Sequence, residues 1–263
     1  MENKVIHISI DGMRPDGFLA CNNPYCKTLM ERSTYSLEAS SVFPTVTLPC
    51  HVSMFHSVPP ERHGVMTNTY VPPVRPIPGL FEALKGQGAK CGMFYGWEEL
   101  RDISRPGSLD RAEYIESYSA PHTDTVLTDR ALEYVEKEKP DFVFLYMVET
   151  DTKGGHDCGW MTDTYLEYVS IAIDNVKRVI DAVGDDYTVI ITADHGGHAR
   201  GHGDDSPEDM NIPMFFVGKK FSENTEIKNI GLLSIAPTVA DIMGVKPCRE
   251  WEGVSVLKGL DNE

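Results

Sequence analysis

The chain has 263 residues, with 40 acidic side chains against 24 basic ones and a formal net charge of -16. That balance excludes the basic footprint of a nucleic-acid-binding surface. It leaves room for an anionic substrate, because bound divalent cations invert the local field. Hydrophobic residues at 41% and charged residues at 24% are ordinary for a soluble globular protein. The length suits one large α/β domain over 1–263.

The chain opens MENKVIHISIDG, where VIHISI (Val5 to Ile10) reads as a buried strand ending at Asp11-Gly12. No basic leader or cleavage site precedes it, and no apolar run approaches a membrane span, so a cytoplasmic location with no membrane contact is expected. Cys21, Cys26, Cys50, Cys91, Cys158 and Cys248 show no CxxC and no paired framework, which reads as reduced thiols. SVFPTVTLPCHVSMFHS runs from a loop into a helix, with Thr47 as its N-cap and Pro49 in its first turn. The proline-rich stretch 58–79 reads as an ordered loop over the sheet. AKCGMFY (89–95) is a strand, and 96–122 carries charges and aromatics without clean periodicity, as in a small insertion near the site.

A helix follows from Thr123 to Lys139, then the strand DFVFLYM (141–147). Tyr165, Val169, Ile173, Val176 and Ile180 recur at helical spacing. YTVIITA (187–193) and PMFFVG (213–218) are strands, and SIAPTVADIMG (234–244) is a helix stopped by its glycine. Buried strands alternating with helices predict an α/β three-layer sandwich, its largely parallel central sheet covered by helices on both faces. Ligands of such sheets bind beyond the carboxyl ends of the strands. Asp11, the Glu149–His156 segment, and Asp194 with His195 follow three such ends and are expected to converge.

TADHGGHARGH, Thr192 to His202, packs one aspartate and three histidines among glycines and alanines. Its glycines are read as sharp turns that bring neighbouring side chains to one point. Carboxylate and imidazole together suit zinc, manganese or iron. Asp11, Asp151, His156, Asp194, His195, His198 and His202 are too many ligands for one tetrahedral zinc and about right for two metals, which in such sites stand roughly 3.5–4 Å apart. Thr47 is the candidate nucleophile, since a hydroxyl at a helix N-terminus faces an anion-binding field. Thr45 is its nearby rival.

These stretches, in this order, resemble the alkaline phosphatase superfamily, and most closely its nucleotide pyrophosphatase/phosphodiesterase branch. The matching stretches are SIDGMRPD, FPTVTLPCH, ERHGVMTN, ETDTKGGH, TADHGGH, GHG and LLSIAPTVADIMGV. The resemblance implies two divalent metals, Zn2+ with Mn2+ as the alternative, and a small-molecule phosphoester substrate. It implies Asp11, Thr47, Asp194 and His195 on one metal, and Asp151, His156 and His202 on the other. Thr47 would form a phospho-threonine intermediate and Asn68 would hydrogen-bond a non-bridging phosphate oxygen. Asp151 and His156 stand five apart where the family commonly has four. Gly154 and Gly155 are expected to absorb the difference, with Glu149 as the fallback ligand.

The implied activity is that of a two-metal phosphodiesterase or nucleotide pyrophosphatase. The alternatives are a phosphomonoesterase or phosphonate hydrolase of the same superfamily, and a metal-binding member without catalysis. The residues after Cys50, HVSM, do not fit a sulfatase motif, and 58–122 offers limited room for a phosphomutase cap. His198 is expected behind the ligands or facing phosphate. His7, His51, His56, His63 and His122 read as ordinary histidines, Trp97, Tyr114 and Tyr118 as packing residues with substrate-pocket lining as the alternative, and the oligomeric state is unreadable.

Overall fold

The structure, a computed structural model, describes residue 1, residues 3–118 and residues 120–260. Eight strands form one sheet: β1 (Lys4–Ile10), β2 (Thr34–Ser40), β3 (Cys91–Tyr95), β4 (Arg111–Tyr114), β5 (Phe142–Met147), β6 (Tyr187–Thr192), β7 (Asn211–Val217) and β8 (Thr225–Glu226). Their order is β4-β3-β5-β1-β6-β7-β2-β8. Every pairing is parallel except those of β7 with β6 and with β2, so β7 alone runs against the rest.

β3, β5 and β6 are buried at every position. Strands covered on both faces read as continuous apolar runs, which is how they stood out in the sequence. The Thr123–Glu138 and Asp163–Val183 helices pack together against β3, β5 and β6, while Thr47–His56 and Ile235–Met243 pack together, the latter against β1. The expected three-layer α/β sandwich is the architecture observed.

β2 and β4 were not foreseen as strands. β2 is only half buried and β4 is almost wholly exposed, so neither shows an apolar run. β4 and the turn Glu98–Ile103 lie within 96–122, whose residue 119 falls outside the described residues. Among the described residues no helix is long and apolar enough to cross a membrane.

The topology places the site. β5, β1 and β6 are adjacent, with Ser9 opposite Tyr146 on one side and Thr192 on the other. The chain therefore leaves the sheet at three neighbouring points, at Asp11, at 148–151 and at 193–195.

Candidate metal centre

β6 ends at Thr192, so Asp194 and His195 lie beyond the pleat and need not face opposite ways. His195 Nε2 sits 3.2 Å from Asp11 Oδ1, 3.3 Å from Asp194 Oδ2 and 3.2 Å from Thr47 Oγ1. Asp151 Oδ1 is 3.8 Å from His202 Nε2, and Asp151 Oδ2 is 3.4 Å from His156 Nε2. Asp11, Asp194 and His195 form one group with ligand atoms within 4.8 Å of one another, and Asp151, His195 and His202 form a second. Asp11, Asp151, His156, Asp194, His195 and His202 thus gather at one place, with His195 shared between the two groups, while His198 does not join them.

The tautomers follow from the partners. His195 Nδ1 lies 2.7 Å from Gly196 O, His202 Nδ1 2.7 Å from Thr45 O, and His156 Nδ1 3.0 Å from Arg200 O. A carbonyl oxygen only accepts, so Nδ1 of each ring carries the proton, and in the neutral ring Nε2 presents its lone pair. Three Nε2 atoms therefore face carboxylates, each offering a lone pair when its ring is neutral. Asp11 Oδ1, Asp151 Oδ1 and Asp194 Oδ2 have no hydrogen-bond donor. Burial, then the charges of Asp194 and Asp151, push the Asp11 carboxyl well above its usual range. Burial raises Asp151 to about 6. Burial would raise Asp194 as well, but His195 and His51 hold it below. This is the pattern of carboxylates competing for one proton. Orphan oxygens and lone pairs aimed at one point fit divalent cations, which would satisfy both.

The spacing of Asp151 and His156 has a structural answer. Thr150–His156 is one turn of π-helix. A π turn places residues i and i+5 on one side, so the extra residue is absorbed in the helix and the Asp151 and His156 side chains still meet. Glu149, the fallback ligand, is engaged elsewhere. It accepts from the Asp124 amide at 3.2 Å and pairs with Lys153.

Thr47 is the first residue of its helix rather than the N-cap, which is Val46. Pro49 is the third, where its missing N–H is still one of the helix's orphans. The Thr47 hydroxyl is thus not spent on a cap and points to His195. Thr45, the rival, donates instead to Asp204 O at 2.7 Å. Asn68 Oδ1 accepts from Leu48 N–H at 3.0 Å at the start of the same helix, beside Thr47.

The motif glycines have a different reason from the one expected. Gly154, Gly155, Gly196 and Gly197 are absent from the left-handed region. What they provide is close approach. A Cβ would stand 2.0 Å from Glu208 O at Gly196, and 2.2 Å and 2.5 Å from the Trp160 ring at Gly197 and Gly155. Gly12, at φ +65°, and Gly203, at φ +128° directly after His202, are the ones that turn through the left-handed region beside the cluster.

Several supporting residues carried no sequence signal. Tyr146 donates to Asp11 Oδ2 from β5. His51, read as an ordinary helix histidine, is buried, with Nδ1 2.8 Å from Thr47 O and Nε2 3.0 Å from Ser9 Oγ. Asp209 is fully buried and accepts from His198 Nδ1 at 2.8 Å and Gly203 N at 2.8 Å. His198 therefore belongs to a separate group with Asp204 and Asp209. Tyr118, read as a packing residue, is 73% exposed. The Cys21 and Cys26 thiols, read as unpaired, lie 3.5 Å apart and remain free.

The sequence model of the Type I phosphodiesterase / nucleotide pyrophosphatase family matches residues 5–205. Ectonucleotide pyrophosphatase/phosphodiesterase family member 1 of Rattus norvegicus is 25% identical over 213 residues, 72% of this chain and 23% of that protein. A phosphopentomutase of Alkaliphilus oremlandii is 28% identical over 136 residues, 49% of this chain. The chain spans only 33% of that mutase's length. Murine ectonucleotide pyrophosphatase/phosphodiesterase 5, inactive and in complex with AMP, superposes with a TM-score of 0.82 at 14% identity, covering 99% of both chains. A 2-O GAG sulfatase superposes with a TM-score of 0.78 at 16% identity, covering 100% of this chain and 75% of the other. With a family match over 201 consecutive residues, 5 through 205, the chain belongs to the Type I phosphodiesterase / nucleotide pyrophosphatase family within the alkaline phosphatase superfamily.

Proposed function

We infer that the chain is a two-metal phosphodiesterase or nucleotide pyrophosphatase-type hydrolase with Thr47 as its nucleophile. The observation that carries this reading is the set of three imidazoles, His156, His195 and His202, each pinned through Nδ1 to a backbone carbonyl with Nε2 toward a carboxylate. Metal-ligating histidines are oriented in this way. Asp11, Thr47, Asp194 and His195 would hold one ion, and Asp151, His156 and His202 the other. Bound zinc, or manganese, supplies Lewis acidity that makes a hydroxyl or water nucleophilic near neutral pH and offsets charge on phosphorus.

The chain's own groups supply position. The Thr47 hydroxyl stands at a helix N-terminus, whose free amides favour an anion. Its hydroxyl gives up its proton to solvent, Oγ1 forms the new bond to phosphorus, and the bond to the leaving oxygen breaks, that oxygen taking up a proton from water. Water then cleaves the phospho-threonine, returning the hydroxyl. Asn68 has its Oδ1 committed to Leu48, so its Nδ2 would donate to a non-bridging phosphate oxygen.

Charge favours the diester. Arg14 is bound to Asp16 at 2.6 Å and to Gly197 O at 2.9 Å, and Lys153 to Glu149. Arg14 and Lys153 are thus committed within the protein, which leaves the exposed Arg200 as the cation of these loops and supports a singly charged diester over a dianionic monoester. The names of the relatives and the murine neighbour's complex with AMP support a nucleotide-type diester. Six free cysteines support a reducing, cytoplasmic setting.

The test compares hydrolysis of bis-p-nitrophenyl phosphate and p-nitrophenyl phosphate by zinc-loaded and chelated protein. Metal-dependent preference for the diester is the expected result. Preference for the monoester would overturn the substrate class, and silence on both would revive the phosphonate hydrolase or the non-catalytic alternative.

A further inference from the structure

Trp160 touches all three strand-end loops. Its indole N–H donates to Gly12 O at 2.9 Å, beside Asp11. Its backbone N–H donates to Ala199 O at 2.9 Å, within the loop that carries His202. Its ring fills a slot with Gly155 on one side and Gly197 on another, where added Cβ atoms would come within 2.5 Å and 2.2 Å of it. The same ring stands edge-on to His156, with centroids 5.3 Å apart at 84°, and to His202, 6.0 Å apart at 64°. It is 6% exposed.

The indole combines a broad flat surface with one hydrogen-bond donor. Here the donor reaches the β1 loop while the ring packs crosswise against two imidazoles. Each of those rings is fixed by one hydrogen bond through Nδ1, which leaves rotation about that bond to be limited by packing. His156 is the more open of the two, its side chain 41% exposed.

We propose that Trp160 is the positioning residue of the His156–His202 half of the metal centre, its indole forming the wall that turns both Nε2 atoms toward Asp151. This rests on the two-metal reading above. Asp11, Asp194 and His195 have their own supports in Tyr146, His51 and the Gly196 carbonyl, so the other half depends less on the indole.

The full chain is stripped with chelator and titrated with Zn2+ against a competing indicator, with bound zinc counted per chain. Trp160→Phe, which keeps a flat apolar ring but loses the donor and part of the wall, is expected to weaken one zinc affinity by about 10–100-fold and leave the other within about threefold. A merely structural role would lower thermal stability without separating the two affinities. Both unchanged, or both weakened alike, overturns the proposal while the two-metal reading stands. Unmutated protein that binds no zinc overturns that reading, and the proposal with it. A second measurement keeps Trp160 in place. In a Trp97→Phe/Trp251→Phe chain it is the only tryptophan, and its emission is expected to change as zinc fills the site. Emission that stays constant to saturation overturns the proposal.

Discussion

The His195 and His202 rings stack face to face, with centroids 3.8 Å apart and planes 15° apart. Two imidazolium cations would repel strongly at that separation. Burial, then the neighbouring His195, lowers His202 to about 3, so it stays neutral across the working pH range. Burial and the stack therefore keep a lone pair available at the His202 Nε2, beside Asp151 Oδ1, which has no donor.

Cation binding should accordingly stabilise the fold. A ligand at a thousand times its Kd adds about 4 kcal/mol, which for a chain of this length raises Tm by on the order of 10 °C. Differential scanning fluorimetry with zinc and with chelator checks this. Equal melting temperatures would contradict it.

Gly196 and Gly64 separate two uses of glycine. Gly196→Ala would drive its Cβ into the Glu208 carbonyl, a backbone atom 2.0 Å away. The loop must then shift, and a loss of about 3 kcal/mol or more is expected. Gly64 has φ +82° but nothing within 4 Å of its would-be Cβ, so Gly64→Ala should cost only about 1 kcal/mol. Urea denaturation of the two variants gives the order directly.

Asp124, outside the proposed ligand set but bonded to the loop that carries Asp151, predicts a pH dependence of its own. It is buried beside Glu149, and burial first, then that charge, raises it from 3.8 to about 7. The folded state holds a proton that the unfolded state has already lost, so this group's stabilising contribution is full below pH 3.8 and falls as pH rises to about 7. Metal-free protein should therefore lose stability over that window through Asp124. Asp124→Asn should flatten the slope, although one of the Val148 and Glu149 amides it serves loses its acceptor. Denaturant midpoints measured against pH, with chelator present, check the sign. An unchanged slope would contradict it.

The central strands were legible because double burial writes itself as VIHISI, DFVFLYM and YTVIIT. β2, β4 and β8 were not, because strands at or near an edge lack that run. The residues of the cluster were legible from their crowding on so little bulk. The π turn was not, since a spacing of five has no helical meaning until its hydrogen bonds are known. Trp160 was silent for another reason. Its partners Gly12 and Gly197 lie 148 residues before it and 37 after it, and nothing near it in sequence indicates them.

Thr47→Ala removes the hydroxyl that faces His195 while leaving six of the seven side chains proposed as ligands. Turnover of a diester should fall by about 10³-fold or more, as for other lost nucleophiles, with zinc content nearly unchanged. Acid-quenched phosphoprotein seen with wild type and absent from the variant would place the covalent step on Thr47. Near-full activity in the variant would remove Thr47 from that role.

The most direct test is the zinc content of the full chain after exhaustive dialysis, measured by elemental analysis beside a His202→Ala variant. Two zinc ions per wild-type chain and about one per variant chain is the expected result. A wild-type chain that retains none, or a His202→Ala chain that retains two, would contradict the two-metal centre.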